Sequence, residues 1–540
     1  MRSTDSLRDR HWTAWRPSGG FTKNPDVVRL PSSRLLCVYN QTDVHWPTTS
    51  QITLLQSDDD GRTWKQKQVI DTGDKSQGEE VWITPRISRL RDGRLIICCD
   101  QNDFAHCHED SPPGIYVWWS EDDGESWSER QPTEIPGIEP DRVVELSDGT
   151  LVMGTHFTSR ETVRLTEALA FSHDRGRTWG DLVSTGKDTL HNFCEGAYLE
   201  LMDGTLLCVM RENSSAAAGG REFNLYPSFV AYSLDRGRTW TQPVEAPFWG
   251  DRPFAGLLSS GQLLVTYRNV GSRFGLYAWL GDPYAALRSG FQPALRQLGG
   301  PVIDLLQGTL RISAAAGQTA QYSLLPPEDF RSSVTLTTTL RVAEGGSSAP
   351  AGSIALARSG YTIRFFSDRV QINTGARLIE RASLDGTRFH QYRIEADRGR
   401  FRLVVDGEVR LQHLYNVEAT RARAAFGSAQ EDSGTVEWRS IAYHVRNESQ
   451  PEHFWAWSAA GGLPNQHEHE HILEIEAHVT QEGWRDLGYS SWVELPDGRI
   501  FIADYTNNGG DEDPSSPTRK AYIRGTYLYE SDFRDAPAQA

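Results

Sequence analysis

The feature that most constrains this chain is a hairpin repeated six times. An apolar strand, a tight turn and a second apolar strand recur as VVRLPSSRLLCVY, ISRLRDGRLIICC, VVELSDGTLVMGT, YLELMDGTLLCVM, AGLLSSGQLLVTY and WVELPDGRIFIAD. Asp-Gly between apolar runs is a strong short-range hairpin signal. The second turn residues are Ser33, Gly93, Gly149, Gly204, Gly261 and Gly498, so the first five step by 55 to 60 residues and the last by 237. Strand-only repeats of this length predict the blades of a propeller, because one hairpin cannot bury its own apolar faces and must stack on its neighbours.

A second pattern, Ser-x-Asp-x-Gly-x-Thr/Ser-Trp, is interleaved with the first. It reads SDDDGRTW at 57–64, SEDDGESW at 120–127, SHDRGRTW at 172–179 and SLDRGRTW at 233–240. The Asp is expected to bond turn amides, the Gly to supply a positive φ, and the Trp to plug between neighbouring sheets.

The long last step implies an insert, expected between the fifth and sixth blades. Within 286–449 the boxes stop, but segments such as VTLTTTLRVA, FHQYRIEAD and RFRLVVDGEVRL keep alternating apolar and polar residues, as half-buried strands do. The fold class expected is therefore all-β: a six-bladed β-propeller (1–285 and 450–540) carrying an inserted antiparallel β-sandwich (286–449). The run QYRIEADRGRFRLVVDGEVRLQ resembles laminin-G and concanavalin-like jelly rolls. That resemblance implies a lectin-like module that binds glycan or mediates oligomer contacts.

Connectivity puts all six hairpin turns on one face of the wheel. The other face gathers the starts of the first strands and the ends of the second: Lys23, Arg86, Arg142, Glu195, Arg252 and Tyr489, with Asp43, His45, His156, Arg211, Arg268 and Arg273. Arginines, acids and a phenol converging on one mouth form a natural polar ligand site. Like charges crowded there repel one another unless an anionic ligand or the interleaved acids offset them.

Asp-boxes on six blades resemble the sialidase (neuraminidase) superfamily. The resemblance implies a site residue by residue. Lys23, in FTKNP, stands where the family carries an arginine. Asp43 matches the general acid, with His45 nearby. Glu195 and Arg211 open and close the blade-four hairpin in CEGAYLELMDGTLLCVMREN, Arg273 in NVGSRFGLYAWL matches a third clamp cation, and Tyr489 in GYSSWVEL matches the tyrosine. It implies an exo-glycosidase with Tyr489 as nucleophile, Glu195 as its base partner, and Lys23, Arg211 and Arg273 as carboxylate clamp. A neutral phenol suits this task, since a carboxylate nucleophile would be repelled by the sugar's own charge. Lysine is a point charge without arginine's fork, and it is one of only six lysines in the chain. The substrate expected is thus an acidic sugar in a wider sense: a sialic acid, a related ulosonic acid or a uronic acid. Arg86, Arg142, Arg252, Arg268, His45 and His156 are the further substrate-binding candidates.

Two other functions use the same residues. A propeller polysaccharide lyase would cleave uronate chains by β-elimination, and a non-catalytic glycan-binding protein would bind through the sandwich. No cofactor is expected. A formal charge of −17 argues against a nucleic-acid partner. No apolar run reaches the roughly 18 residues of a membrane span. The polar start MRSTDSLRDR lacks a signal-peptide core, so a cytoplasmic location is expected. The cysteines sit mostly in strand-like runs and read as core residues. Cys107, between His106 and His108, matches no standard metal-ligand spacing. His467, His469 and His471 alternate as on a strand and read as a solvated connector, and no metal site is expected.

Overall fold

A computed structural model describes residues 7–17, 19–44, 46–101, 107–214, 226–269, 274–284, 290–324, 332–356, 360–414, 424–446, 452–477, 487–507 and 521–533. The chain forms two compact bodies. The first is a six-bladed propeller built from six four-stranded antiparallel sheets.

Each blade opens with the hairpin read from the sequence. Its two strands are Phe21–Arg29 and Leu35–Thr42 in blade one, Arg86–Arg89 and Leu95–Asp100 in blade two, and Val143–Glu145 and Leu151–Thr158 in blade three. They are Phe193–Glu200 and Leu206–Glu212 in blade four, Asp251–Leu257 and Leu263–Asn269 in blade five, and Ser490–Glu494 and Arg499–Thr506 in blade six. The six turns are made alike. The backbone N–H of Leu30, Leu90, Leu146, Leu201, Leu258 or Leu495 donates to the carbonyl four residues on, at 2.7–2.9 Å. The second turn residue has φ between 72° and 96° in all six. Neighbouring turns are tied by glutamates of the repeat: Arg91, Ser147 and Ser259 donate backbone N–H bonds to Glu145, Glu200 and Glu494.

The Asp-boxes join third and fourth strands in blades one to four. In the first, Asp59 accepts from the Thr63 N–H at 2.8 Å, and Ser57 Oγ accepts from the Gly61 N–H at 2.9 Å. The box tryptophans lie where expected. Trp64 packs in the core between blades one and six, Trp127 between one and two, and Trp179 between two and three. The box glycines carry a second constraint. A Cβ on Gly61 would sit 2.7 Å from the Phe501 ring of blade six, and one on Gly176 2.4 Å from Trp119 of blade two. Each box thus seats against the preceding blade, and glycine is required both by φ and by contact.

Three features depart from the sequence reading. The insert lies inside blade five, not between blades five and six. Blade five pairs Gly275–Gly281 with Ile472–Ala477, so its outer strand is supplied after the insert. The expected return at 450 also falls short, because His453–Ser458 pairs with Gly434–Arg446 of the insert. The second body spans Phe291–His467. The histidine segment is a short helix, Gln466–His471, rather than a strand. Blade six is completed by the N-terminal strand His11–Trp15 pairing with Tyr522–Tyr529.

The second body is a β-sandwich of a seven-stranded and an eight-stranded sheet. Its longest strands, Ser333–Gly345 and Gly434–Arg446, pair with each other, and the first alternates buried and part-exposed residues along its length. Phe365 and Phe426 of one sheet meet Trp438 of the other at 6.0 and 5.3 Å between ring centroids. Among the described residues no grouping of His, Cys, Asp and Glu fits a metal ion, and all six cysteines are free thiols.

Gly61 and Gly204 separate strain from contact. Both have positive φ, but a Cβ on Gly204 meets open space. Gly204→Ala is expected to cost about 1 kcal/mol through left-handed strain alone. Gly61→Ala adds overpacking against Phe501, about 1–3 kcal/mol more. Thermal melts of the two variants should therefore show a clearly larger fall for Gly61→Ala; equal falls would contradict the seating of the box on blade six.

Candidate active site

The inner strands of three blades begin with the same distortion. Register slips between Lys23 and Asp26, between Cys194 and Ala197, and between Asp251 and Phe254. Inside these bulges Asn24, Glu195 and Arg252 adopt φ of 51°, 51° and 45°. A bulge re-aims a side chain that the regular pleat would point elsewhere. Non-glycine residues in the left-handed region cost about 1–3 kcal/mol each and cluster where function requires them. The bulge at Glu195 is held from two sides. Its own N–H donates to His156 Nδ1 at 3.3 Å, and its Oε2 accepts from the Arg252 N–H at 3.0 Å.

Glu195 and Tyr489 meet across the mouth. The Tyr489 hydroxyl lies 3.3 Å from Glu195 Oε1, 3.0 Å from Arg268 Nη2 and 3.4 Å from Arg211 Nη1. Arg211 Nη1 also pairs with Glu195 Oε1 at 2.8 Å, and its Nε lies 2.9 Å from Asp251 Oδ1. Arg268 pairs with the other Asp251 oxygen at 2.9 Å, and its guanidinium lies 4.4 Å from the centre of the Tyr489 ring. Asp251 therefore braces both arginines that flank the phenol. Gly488, with φ of 90°, lets the chain pass beside Arg268, where a Cβ would come within 3.2 Å of that side chain.

The electrostatics follow from this packing. Burial pushes the Tyr489 phenol well above its ordinary range, and the pull of Arg268 and Arg211 does not reverse it. The hydroxyl is thus a neutral donor aimed at a carboxylate. Burial acts on Glu195 in the same upward sense, but Arg211 and Arg252 outweigh it and hold the carboxyl well below the usual range. Burial lowers His156 to about 4, so its ring is a neutral acceptor for the Glu195 amide.

Of the residues expected at the site, Glu195, Arg211, Arg268 and Tyr489 come together. Lys23 is buried in the first strand of blade one, opposite Asn40 in the register. Asp43 is exposed and accepts bonds from Thr48 and Thr49, which, against a larger desolvation effect, keep it below the ordinary aspartate value. His45 and Arg273 lie outside the described residues.

Four expected substrate contacts are engaged otherwise. Arg142 forks onto Asp26 at 2.7–2.9 Å and stacks on Phe254. Arg86, only 3% exposed, faces the same Asp26 at 3.8 Å. The Arg252 guanidinium contacts Glu139 and Pro140, and His156 holds the Glu195 bulge. For the three arginines the reason is shared: a buried cation is tolerated only beside an acid or an acceptor, and Asp26, Glu139 and the Pro140 carbonyl supply these between blades. Asp26 itself ties blade one to blade two by accepting the Ile87 N–H at 2.8 Å.

Glu139 was missed in the sequence. It opens the blade-three hairpin in IEPDRVVEL much as Glu195 opens blade four in CEGAYLEL, and that internal parallel was the available signal. Its φ is 51°.

With the geometry established, the BNR repeat-like domain family matches residues 7–140 and 105–276, half of the chain in all. The chain belongs to this family. A curated relative, a sialidase from Micromonospora viridifaciens, is 28% identical over 244 residues, covering 40% of this chain and 35% of that one. The BNR-family chain thus spans about a third of the length of the curated relative it matches. Among solved structures, a protein of unknown function from Dyadobacter fermentans is similar with 18% identity and a TM-score of 0.43, covering 58% of this chain and 93% of that one. Trypanosoma rangeli sialidase in complex with the inhibitor DANA gives 13% identity and a TM-score of 0.38, covering 83% and 94%.

The buried phenol makes a direct prediction. An ordinary tyrosine is half-ionised near pH about 10. An ultraviolet titration of wild type against Tyr489→Phe should find no phenolate from this residue at that pH. A phenolate signal there would contradict the burial of Tyr489 among these groups.

Proposed function

We propose that the chain is a retaining exo-glycosidase that releases a terminal acidic sugar, with Tyr489 as nucleophile, Glu195 as its proton acceptor and Asp43 as acid to the leaving oxygen. The observation that carries this reading is the 3.3 Å contact between the Tyr489 hydroxyl and Glu195, with Arg268 and Arg211 on the same oxygen. Family membership and the sialidase relative support a glycosidase in the broad sense.

In the first half-reaction the phenol oxygen attacks the anomeric carbon while the bond to the leaving oxygen breaks. The phenol proton passes to Glu195, and Asp43 gives its proton to the departing oxygen. In the second, a water loses a proton to Asp43 and attacks the same carbon. The phenol oxygen leaves and recovers its proton from Glu195. Charge sets the order of events. The phenol is neutral when an anionic sugar arrives, and its proton leaves only as the new bond forms. Asp43, low in the free protein, takes up its proton when a bound sugar displaces water from the loop and desolvates the carboxyl. Arg211 and Lys23 serve as carboxylate partners, the lysine as a single point charge that suits acidic sugars beyond the sialic acids.

Elimination would use the same phenol, or a histidine, as base, and would leave an unsaturated sugar instead of adding a water.

Tyr489→Phe is expected to lower turnover of acidic aryl glycosides at least about 10²-fold, with products one water heavier than the bond cleaved and no unsaturated sugar. A near-wild-type rate in this variant, or an ultraviolet-absorbing product, would overturn the mechanism.

A further inference from the structure

Beside the Tyr489–Glu195 pair lies a second carboxyl that the mechanism does not use. Glu139 precedes Pro140 at the start of the blade-three hairpin, and its side chain keeps a quarter of its surface open. Its carboxyl and that of Glu195 interact side chain to side chain. Two facing carboxyl groups cannot both be ionised cheaply, and a bond between them requires one proton. Arg252 ties the two together. Its backbone N–H donates to Glu195 Oε2 at 3.0 Å, and its guanidinium lies 3.5 Å from Glu139 Oε2 and reaches the Pro140 carbonyl at 3.3 Å. The geometry also sets which carboxyl is charged. Glu195 has the Arg211 Nη1 ion pair at 2.8 Å and the Arg252 amide, whereas Glu139 has only the longer guanidinium contact.

We propose that Glu139 is a positioning residue of the Tyr489–Glu195 pair: it holds the one proton the two carboxyls share, fixes Glu195 as the charged acceptor facing the phenol, and keeps this corner of the site at a single negative charge when an anionic sugar enters. The inference rests on the glycosidase reading for its catalytic consequence; the shared proton rests on the two carboxyls facing each other around Arg252. Burial, then the Glu195 charge, raise Glu139 to about 8, against the pull of Arg252. The other groups facing the pair are Asp100, Cys194, Arg211, Arg268, Tyr489 and the neutral His156. Of these, Asp100 acts in the same upward sense on Glu139.

The sign of the pH dependence is fixed. Glu139 keeps its proton in the folded chain at pH values where the unfolded chain has lost it. Its contribution to stability is therefore complete below the ordinary glutamate value of about 4.5 and disappears as pH rises through about 8. Above that pH a second charge also appears beside the acceptor and repels an anionic substrate.

Glu139→Gln and Glu139→Ala test this in the full chain by two readouts. In thermal melts, the stability of Glu139→Gln relative to wild type should rise by a few degrees as pH goes from about 5 to about 9. In kinetics on an acidic aryl glycoside, wild-type kcat/KM should fall as pH rises through about 8. Glu139→Gln, which keeps a donor to Glu195 without the charge, should lack that alkaline limb. Glu139→Ala should lose about tenfold in kcat, with Glu139→Gln recovering most of that loss. A Glu139→Gln protein whose melting difference does not change with pH, or whose alkaline limb matches wild type, overturns the proposal. If wild type turns over no acidic glycoside, the glycosidase reading fails separately, and the melting comparison still decides whether Glu139 holds the proton.

Discussion

Closure of the ring is the constraint on which the rest depends. His11–Trp15 forms the outer strand of a blade whose other three strands lie at the far end of the chain. Without that pairing the strand Tyr522–Tyr529 would be an open edge, and the core that blade six shares with blade one would be exposed. The join is reinforced by cation–π stacking and an ion pair. Arg62 lies over both Trp12 and Tyr527, Arg499 stacks on Tyr527 and pairs with Asp60, and Trp12 donates to the Gly61 carbonyl. Tyr489 belongs to blade six, and Glu195 and Arg211 belong to blade four. Their meeting is therefore a consequence of a closed wheel, not of any local fold.

The same closure explains how so many charges sit at one mouth without driving it apart. Four of the arginines are arranged in two clusters, each built around a buried acid. Asp251 anchors Arg211 and Arg268 beside the phenol. Asp26 anchors Arg142, with Arg86 behind it, and also bonds the next blade's backbone. Removing a buried acid of this kind would leave uncompensated charge, which costs far more than a surface pair contributes. Preorganisation at the mouth thus follows from inter-blade packing. The left-handed residues in the bulges are held by the neighbouring blades rather than by their own strands.

Much of this was legible in the sequence because it is periodic. Six turns with one chemistry give six blades, and the box tryptophans fall between neighbouring sheets as the repeat predicts. Connectivity alone groups Glu195, Arg211, Arg268 and Tyr489 on one face. What was not legible is what periodicity does not encode. The insert interrupts blade five after its third strand, and a strand supplied from beyond a second body leaves no mark in the hairpin spacing. The helix at Gln466–His471 carries alternating histidines that mimic a strand. Type and position could not tell the cations that gather beside Tyr489 from those held elsewhere. Arg86, Arg142 and Arg252 start their blades as site residues do, yet each is held by an acid or a carbonyl that only the three-dimensional register brings near. Glu139 went unread for the same reason, since its partner lies a whole blade away in sequence.

The central claim is that the phenol of Tyr489 becomes bonded to the anomeric carbon of an acidic sugar. Intact-protein and peptide mass spectrometry after incubation with a fluorinated, activated acidic glycoside tests it most directly, because such a substrate forms the glycosyl-enzyme quickly and loses it slowly. The account predicts one added sugar per chain, located on the peptide containing Tyr489 and absent from Tyr489→Phe. Turnover of the same sugar class with no adduct, or an adduct on another side chain, would contradict it.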